Sequence, residues 1–109
     1  MGISLEERIQ ILRDFCSEDP NNPFNYYSLF LEVQKVNTKE GIELGNLLLE
    51  KFSDYLPTYY MFGQLLEEDY PLKALDVYKK GILVAQNEKN LKTENELKSA
   101  LQNLEFELD

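Results

Sequence analysis

Histidine is absent from the sequence, and only one cysteine, Cys16, is present. The absence of histidine excludes Ser-His-Asp and Cys-His catalysis, because both need an imidazole as general base. A single cysteine cannot form an intramolecular disulfide or a zinc site made of cysteine and histidine ligands. Cys16 lies in an apolar helical register, so we expect a small buried hydrophobe; the alternative, a reactive thiol, would need a nearby base. We therefore predict no cofactor and no bound metal.

Long apolar runs and basic residues are also scarce. No run approaches the roughly 18 apolar residues that cross a bilayer. The first segment, MGISLEERIQ, lacks the basic leader, the uninterrupted apolar stretch and the cleavage site of a signal peptide. The chain has 11 basic and 20 acidic residues, a net charge of −9. Such a surface repels phosphate backbones and anionic lipids, so we predict neither nucleic acid nor a membrane as partner. The lack of a signal peptide and of a long apolar run predicts a cytoplasmic location.

Helical signals cover most of the 109 residues, of which 43% are apolar, and no segment reads convincingly as a strand. This length is enough for one domain over 1–109 with a modest core. We predict a first helix over 5–17, helix pairs over 23–53 and 57–86, and a last helix over 94–108. The last helix has an apolar stripe that ends at Leu108 and a polar outer face, and Phe106 lies off its stripe.

Each predicted helix begins with residues that favour a helix start. Ser4 with Glu7, and Thr93 with Glu96, have the spacing of a capping box. The other predicted helix starts have a proline or an acidic residue in the first turn, in all but one case after a capping residue. They are Asn22 with Pro23, Asn37 with Glu40, Pro57 alone, and Asp69 or Tyr70 with Pro71.

An internal repeat is present at a spacing of 33 residues. Residues 26–49 align without gaps on residues 59–82, and residue classes agree better than identities. The aligned pairs include Tyr26 with Tyr59, Leu29 with Phe62, Val33 with Leu66, Gly41 with Ala74 and Ile42 with Leu75. The first helix fits the same frame as the second half of a truncated repeat, and the last helix repeats the stripe of the first half. A stack of helix–turn–helix units, in which neighbours cover each other's apolar surface, follows from this pattern.

The pattern resembles the tetratricopeptide-repeat (TPR) family. The second full repeat carries the motif well, with Tyr59, Phe62-Gly63 and Leu66 in its first helix and small or aromatic residues in its second, namely Ala74, Tyr78 and Gly81. The first repeat is degenerate, because Phe30 replaces the glycine and Gly45 the second aromatic residue. Both repeats are one residue short between their helices. The resemblance implies an all-α, short right-handed solenoid with terminal helices; the alternative is a generic helical bundle.

The resemblance also implies a concave groove lined by the first helix of each pair, where a peptide or helix of a partner protein binds. By position, the groove residues of the first repeat are Tyr27, Leu31, Gln34 and Lys35. Those of the second repeat are Tyr60, Gln64, Glu67 and Glu68. The basic clamp that grips a C-terminal carboxylate in some relatives is absent, and the acidic rim favours a basic or neutral peptide. The alternative is that Tyr27 and Tyr60 pack against the terminal helices, which would then fill the groove.

Two other functions compete with this adaptor. An enzyme that relied on carboxylates alone would need two of them to converge, whereas neighbouring acids such as Glu6-Glu7 and Glu67-Glu68 point in different directions on a helix. We therefore predict a protein that is not an enzyme. A structural protein that associates with itself through a terminal helix is the main alternative, since Phe106 would be exposed.

Overall fold

The computed structural model describes residues 2–109, and within them the chain forms six helices and no strand. In chain order they are α1 (Leu5–Glu18), α2 (Pro23–Val33), α3 (Thr38–Lys51), α4 (Pro57–Leu66), α5 (Pro71–Asn87) and α6 (Leu91–Leu108). The prediction of an all-α helical-repeat fold is confirmed.

Local capping explains where the first three helices begin. The Ser4 hydroxyl accepts a hydrogen bond from the Glu7 amide at 3.1 Å, and the Glu7 carboxylate accepts one from the Ser4 amide, so the predicted capping box is present. Asn22 caps α2, with Pro23 in the first turn, and Asn37 caps α3. Helices α4 and α5 start at prolines without a side-chain cap, and Tyr70 is the residue that precedes α5.

Helix α6 starts earlier than predicted. The sequence indicated a capping box of Thr93 with Glu96, but Asn90 is the cap, and its side chain accepts a hydrogen bond from the Thr93 amide at 3.1 Å. Lys89, just before this cap, has a left-handed backbone conformation with a φ of 57°. Such a residue is common just after the end of a helix, here α5, and α6 begins two residues later at Leu91. The predicted start at 94 was therefore wrong by one helical turn.

Contacts divide the chain after Tyr55 into two compact units. In the first unit, α2 packs against both α1 and α3. Its core centres on Cys16, Leu29 and Val33, with further apolar side chains packed around them, and burial raises the pKa of the Cys16 thiol. The expectation that Cys16 is a buried hydrophobe is thus confirmed.

An ion pair joins α1 to α3 across this unit. The two guanidinium nitrogens of Arg13 donate to the two carboxylate oxygens of Glu40 at 2.5 and 3.1 Å. The hydrogen bonds from Arg13 lower the pKa of the Glu40 carboxyl. A bidentate pair fixes geometry better than a single contact does, and this pair links α1 to α3 through side chains alone, since the two helices do not pack on each other.

The second unit begins at Leu56, and in it α5 packs against both α4 and α6, while α4 and α6 also touch. Two glycines permit the close approach of these helices. A Cβ atom at Gly63 would lie 2.2 Å from the Tyr78 ring, and one at Gly81 would lie 2.5 Å from the Cβ of Tyr59. The predicted stripe of α6 is buried at Leu97, Ala100 and Leu104, but Leu108 is exposed, so its assignment to the core was wrong. The helix reaches past the end of the packed surface there.

Candidate partner-binding face

The predicted groove residues of the first repeat lie on and just after α2. Tyr27 is half-buried, and its ring packs against Phe30 and Tyr55 with centroid separations of 6.3 and 5.7 Å. Burial raises the pKa of the Tyr27 hydroxyl. Leu31 and Gln34 are also half-buried. The Tyr27 ring therefore has a packing role within its own unit and presents only part of its surface to solvent.

Lys35, the one basic residue predicted in the groove, has an acidic partner within its own unit. Its ammonium nitrogen lies 3.3 Å from a carboxylate oxygen of Glu32, and Arg8 approaches the same oxygen at 3.6 Å. Glu32 is thus shared by two cations, which partly neutralises this end of α2. The contact is exposed and contributes little to stability.

The predicted residues of the second repeat line a cleft between α4 and α6. Tyr60, Gln64 and Glu67 form its α4 side, and Glu96, Ser99, Asn103 and Glu107 face them from α6. The volume of this cleft is about 610 Å³. It contains three carboxylates and no basic side chain, so we call it the acidic cleft. Glu68, predicted with this group, is exposed and is not among the residues that line it.

A buried tyrosine holds two residues of the acidic cleft in place. The Tyr78 hydroxyl donates to Oε2 of Glu67, and Gln64 Nε2 donates to the Tyr78 oxygen at 2.9 Å and to the same carboxylate oxygen at 3.3 Å. Burial, together with the neighbouring Glu67 carboxylate, raises the pKa of Tyr78 far above its ordinary value. The Tyr78 ring is fully buried beneath the cleft. Gln64 and Glu67 are therefore oriented before any ligand arrives, which lowers the entropic cost of binding.

Sequence reasoning missed two contributions to the acidic cleft. Of the four residues of α6, only Glu96 was interpreted, as part of a capping box and of a polar outer face, although polar residues at positions 96, 99, 103 and 107 recur at the spacing of one helix face. The hydroxyl of Tyr78 was interpreted only as part of a core aromatic residue. The helical pattern places Tyr78 in the core, but it does not predict that the Tyr78 hydroxyl contacts Glu67 and Gln64, which lie 11 and 14 residues earlier in the chain.

No group of three or more His, Cys, Asp or Glu side chains in residues 2–109 is placed to hold a metal ion. Over the same residues, no helix has both the length and the apolar character to cross a membrane.

Paired helices repeated along an all-helical chain define a helical-repeat protein, and similar solved structures identify which kind. The solution NMR structure of a tetratricopeptide repeat domain protein from Salinibacter ruber has 38% sequence identity and a TM-score of 0.75, over 80% of this chain and 90% of that one. A crystal structure of a tetratricopeptide repeat domain protein from the same organism has 37% identity and a TM-score of 0.73, over 77% of this chain and 97% of that one. No family model and no curated protein matches the chain. The chain belongs to the tetratricopeptide-repeat family, as its sequence pattern indicated, and this repeat fold is a module commonly used for protein interaction.

Proposed function

We propose that this protein is a non-catalytic adaptor that binds a basic peptide or helix of a partner protein in the acidic cleft. The observation that carries the proposal is the composition of that cleft, where Glu67, Glu96 and Glu107 surround Tyr60 without a basic residue among them. Tyrosine offers a large contact area and a hydroxyl, and the carboxylates attract and orient lysine or arginine.

Residues 1–109 are proposed to act as one interaction domain in the cytoplasm, with the first repeat contributing to the same binding function through Tyr27, Leu31, Gln34 and Lys35. Tyr27 packs against its neighbours, so its replacement by alanine would disturb the fold as well as the surface. Tyr60 is 37% exposed and is the better residue for a test of binding. Fractionation of the source cells tests the location.

The test compares the wild-type protein with two charge-matched variants as bait for a lysate of the source cells. The cleft variant is Glu96→Gln/Glu107→Gln, which removes two exposed carboxylates of the acidic cleft. The control is Glu43→Gln/Glu50→Gln, which removes two exposed carboxylates of α3 and changes the net charge equally. All four positions are exposed, so each variant is expected to fold as the wild type does.

We expect a protein that the wild type and the control retain and that the cleft variant loses. Its binding segment, mapped on overlapping peptides, should be rich in lysine or arginine, and Tyr60→Ala should weaken its binding at least about tenfold, as loss of a central aromatic anchor does. Equal retention by the cleft variant would refute the acidic cleft as the binding site. Retention that both variants lose equally would indicate non-specific attraction to the overall charge.

A further inference from the structure

A second, apolar cleft lies between the start of α5 and the end of α6. Leu72 and Leu75 line it from α5, and Phe106 and Leu108 line it from α6. Phe106 is 83% exposed, Leu72 76% and Leu108 46%, and the volume of the cleft is about 550 Å³. We call it the apolar cleft. Several large apolar side chains exposed around one depression are typical of an interaction surface, whereas single exposed apolar side chains are common on any protein.

The internal repeat shows that the fold does not require apolar residues at the two most exposed positions. At the spacing of 33, Leu72 corresponds to Lys39 and Glu6. The last helix aligns with the first helix of the second repeat at a spacing of 38, so Phe106 corresponds to Glu68 and, one repeat earlier, to Lys35. Charged side chains occupy these places in the other repeat units. The leucine and the phenylalanine therefore need an explanation other than packing.

Charge indicates what occupies the apolar cleft. Glu105 and Asp109 are the charged residues that line it, and no lysine or arginine does. In a symmetric pair of copies joined through this cleft, these carboxylates would come together on two molecules that each carry a net charge of −9. A segment with lysine or arginine beside its apolar side chains complements both the apolar lining of the cleft and its two carboxylates, Glu105 and Asp109.

We propose that the apolar cleft is a second docking site, which binds an amphipathic helix of a partner protein through apolar side chains flanked by lysine or arginine. The apolar cleft lies on the opposite flank of α6 from the acidic cleft, and the two clefts share no lining residue. It does not depend on the function proposed for the acidic cleft.

The probe is a synthetic amphipathic helix of leucine and lysine, titrated into the ¹⁵N-labelled full chain and followed by NMR. Its counterpart of leucine and glutamate has the same apolar face with the opposite charge. For the apolar cleft, the cleft variant is Leu72→Lys/Phe106→Glu. It introduces the residue types found at the equivalent repeat positions, Lys39 and Glu68, and leaves the net charge unchanged. The matched control is Leu83→Lys/Leu91→Glu, since both leucines are 66% exposed and lie outside the cleft.

We expect the largest amide shift changes at Leu72, Leu75 and Phe106, with an affinity at least about tenfold lower for the cleft variant than for the control. The leucine–glutamate helix should not bind. Equal binding by the cleft variant, or shift changes confined to the acidic cleft, would overturn the proposal. So would light scattering that shows a dimer of the unliganded chain which the cleft variant abolishes, because a second copy would then be the occupant.

Discussion

Thr58 is fully buried, and its hydroxyl oxygen has no hydrogen-bond partner among residues 2–109. A buried hydroxyl without a partner loses its hydrogen bond to water and gains nothing in return. We expect Thr58→Val to raise the free energy of unfolding by about 1 kcal/mol, because it replaces the hydroxyl with a methyl group of similar size. Urea denaturation measures the change. Thr58→Ser retains the hydroxyl and should not stabilise; a valine variant less stable than wild type would contradict the argument.

Gly63 leaves room for the ring of Tyr78 in the second unit. A Cβ atom there would overlap the Tyr78 ring at 2.2 Å, so Gly63→Ala must displace a fully buried aromatic side chain. We expect a loss of about 1–3 kcal/mol of stability, larger than the gain in helix propensity that alanine brings. In a Tyr78→Leu background the same change should cost much less, and a double-mutant cycle by denaturation measures that coupling. Equal costs in both backgrounds would show that the ring is not the obstacle.

Tyr78 also connects stability to alkaline pH. Its pKa is raised in the folded protein, above the ordinary value of 10.0, because the hydroxyl is buried and donates to Glu67. The folded state therefore holds this proton more tightly than the unfolded state does, so the stability due to Tyr78 is present below the ordinary pKa and is lost as pH rises above it. We expect Tyr78→Phe to lose less stability than wild type between about pH 9 and 11. Parallel pH profiles of the two proteins, measured by urea denaturation, would contradict this.

The identity of the buried residues could be predicted from the repeat, but their polar contacts could not. Tyr59, Phe62, Leu66 and Ala74 fall on apolar positions of a helical pattern, and all are buried. The hydrogen bonds of Tyr78 depend on which side chains a neighbouring helix brings near its ring, which periodicity does not specify. Thr58, next to the apolar position Tyr59, is also enclosed, and the apolar pattern gives no sign of it.

At the scale of the element, the starts of the first three helices could be predicted from their caps. Ser4, Asn22 and Asn37 each cap the helix assigned to them. Before α6 the sequence has two candidates in one turn, Asn90 and Thr93, and both suit a cap. Asn90 follows Lys89, which has a φ of 57°, a conformation that has no clear sequence signal in a non-glycine residue.

The start of α6 provides a direct test of the cap. Asn90→Ala removes the acceptor of the Thr93 amide and is expected to lower stability by about 1 kcal/mol. Thr93→Ala, inside the first turn, should cost clearly less, because its side chain is not the cap. Thermal unfolding of the two variants gives the comparison. A larger loss for Thr93→Ala would restore the later start that the capping-box spacing indicated.

At the scale of the whole molecule, the site was partly predictable. Tyr60, Gln64 and Glu67 were assigned to the groove by their repeat positions, and they lie together in the acidic cleft. The α6 side of the cleft was missed, because its helix was interpreted as a cap with a solvated face. The packing of Tyr27 on Tyr55 joins residues 28 apart, a contact that one helix pattern cannot predict.

The excess of acidic residues makes the folded chain sensitive to salt. The compact state brings 20 acidic and 11 basic residues close together, and this repulsion is screened by ions. We expect the midpoint of urea denaturation to rise between about 20 mM and 500 mM NaCl, since each ion pair among residues 2–109 has a solvent-exposed cation and loses little. Glu43→Lys/Glu50→Lys reduces the negative charge and should weaken this response. A midpoint that falls with salt would show that ion pairs dominate instead.

Helix α6 forms a wall of both clefts, with Asn103 at the acidic cleft and Phe106 at the apolar cleft. A partner that presents a basic segment to the first cleft and an amphipathic helix to the second would make its second contact from a tethered state, at a high effective concentration. Two modest affinities would then combine into slow dissociation, whereas partners with one segment would exchange quickly. The two clefts would thus give avidity for a partner with both segments without any stronger contact at either one.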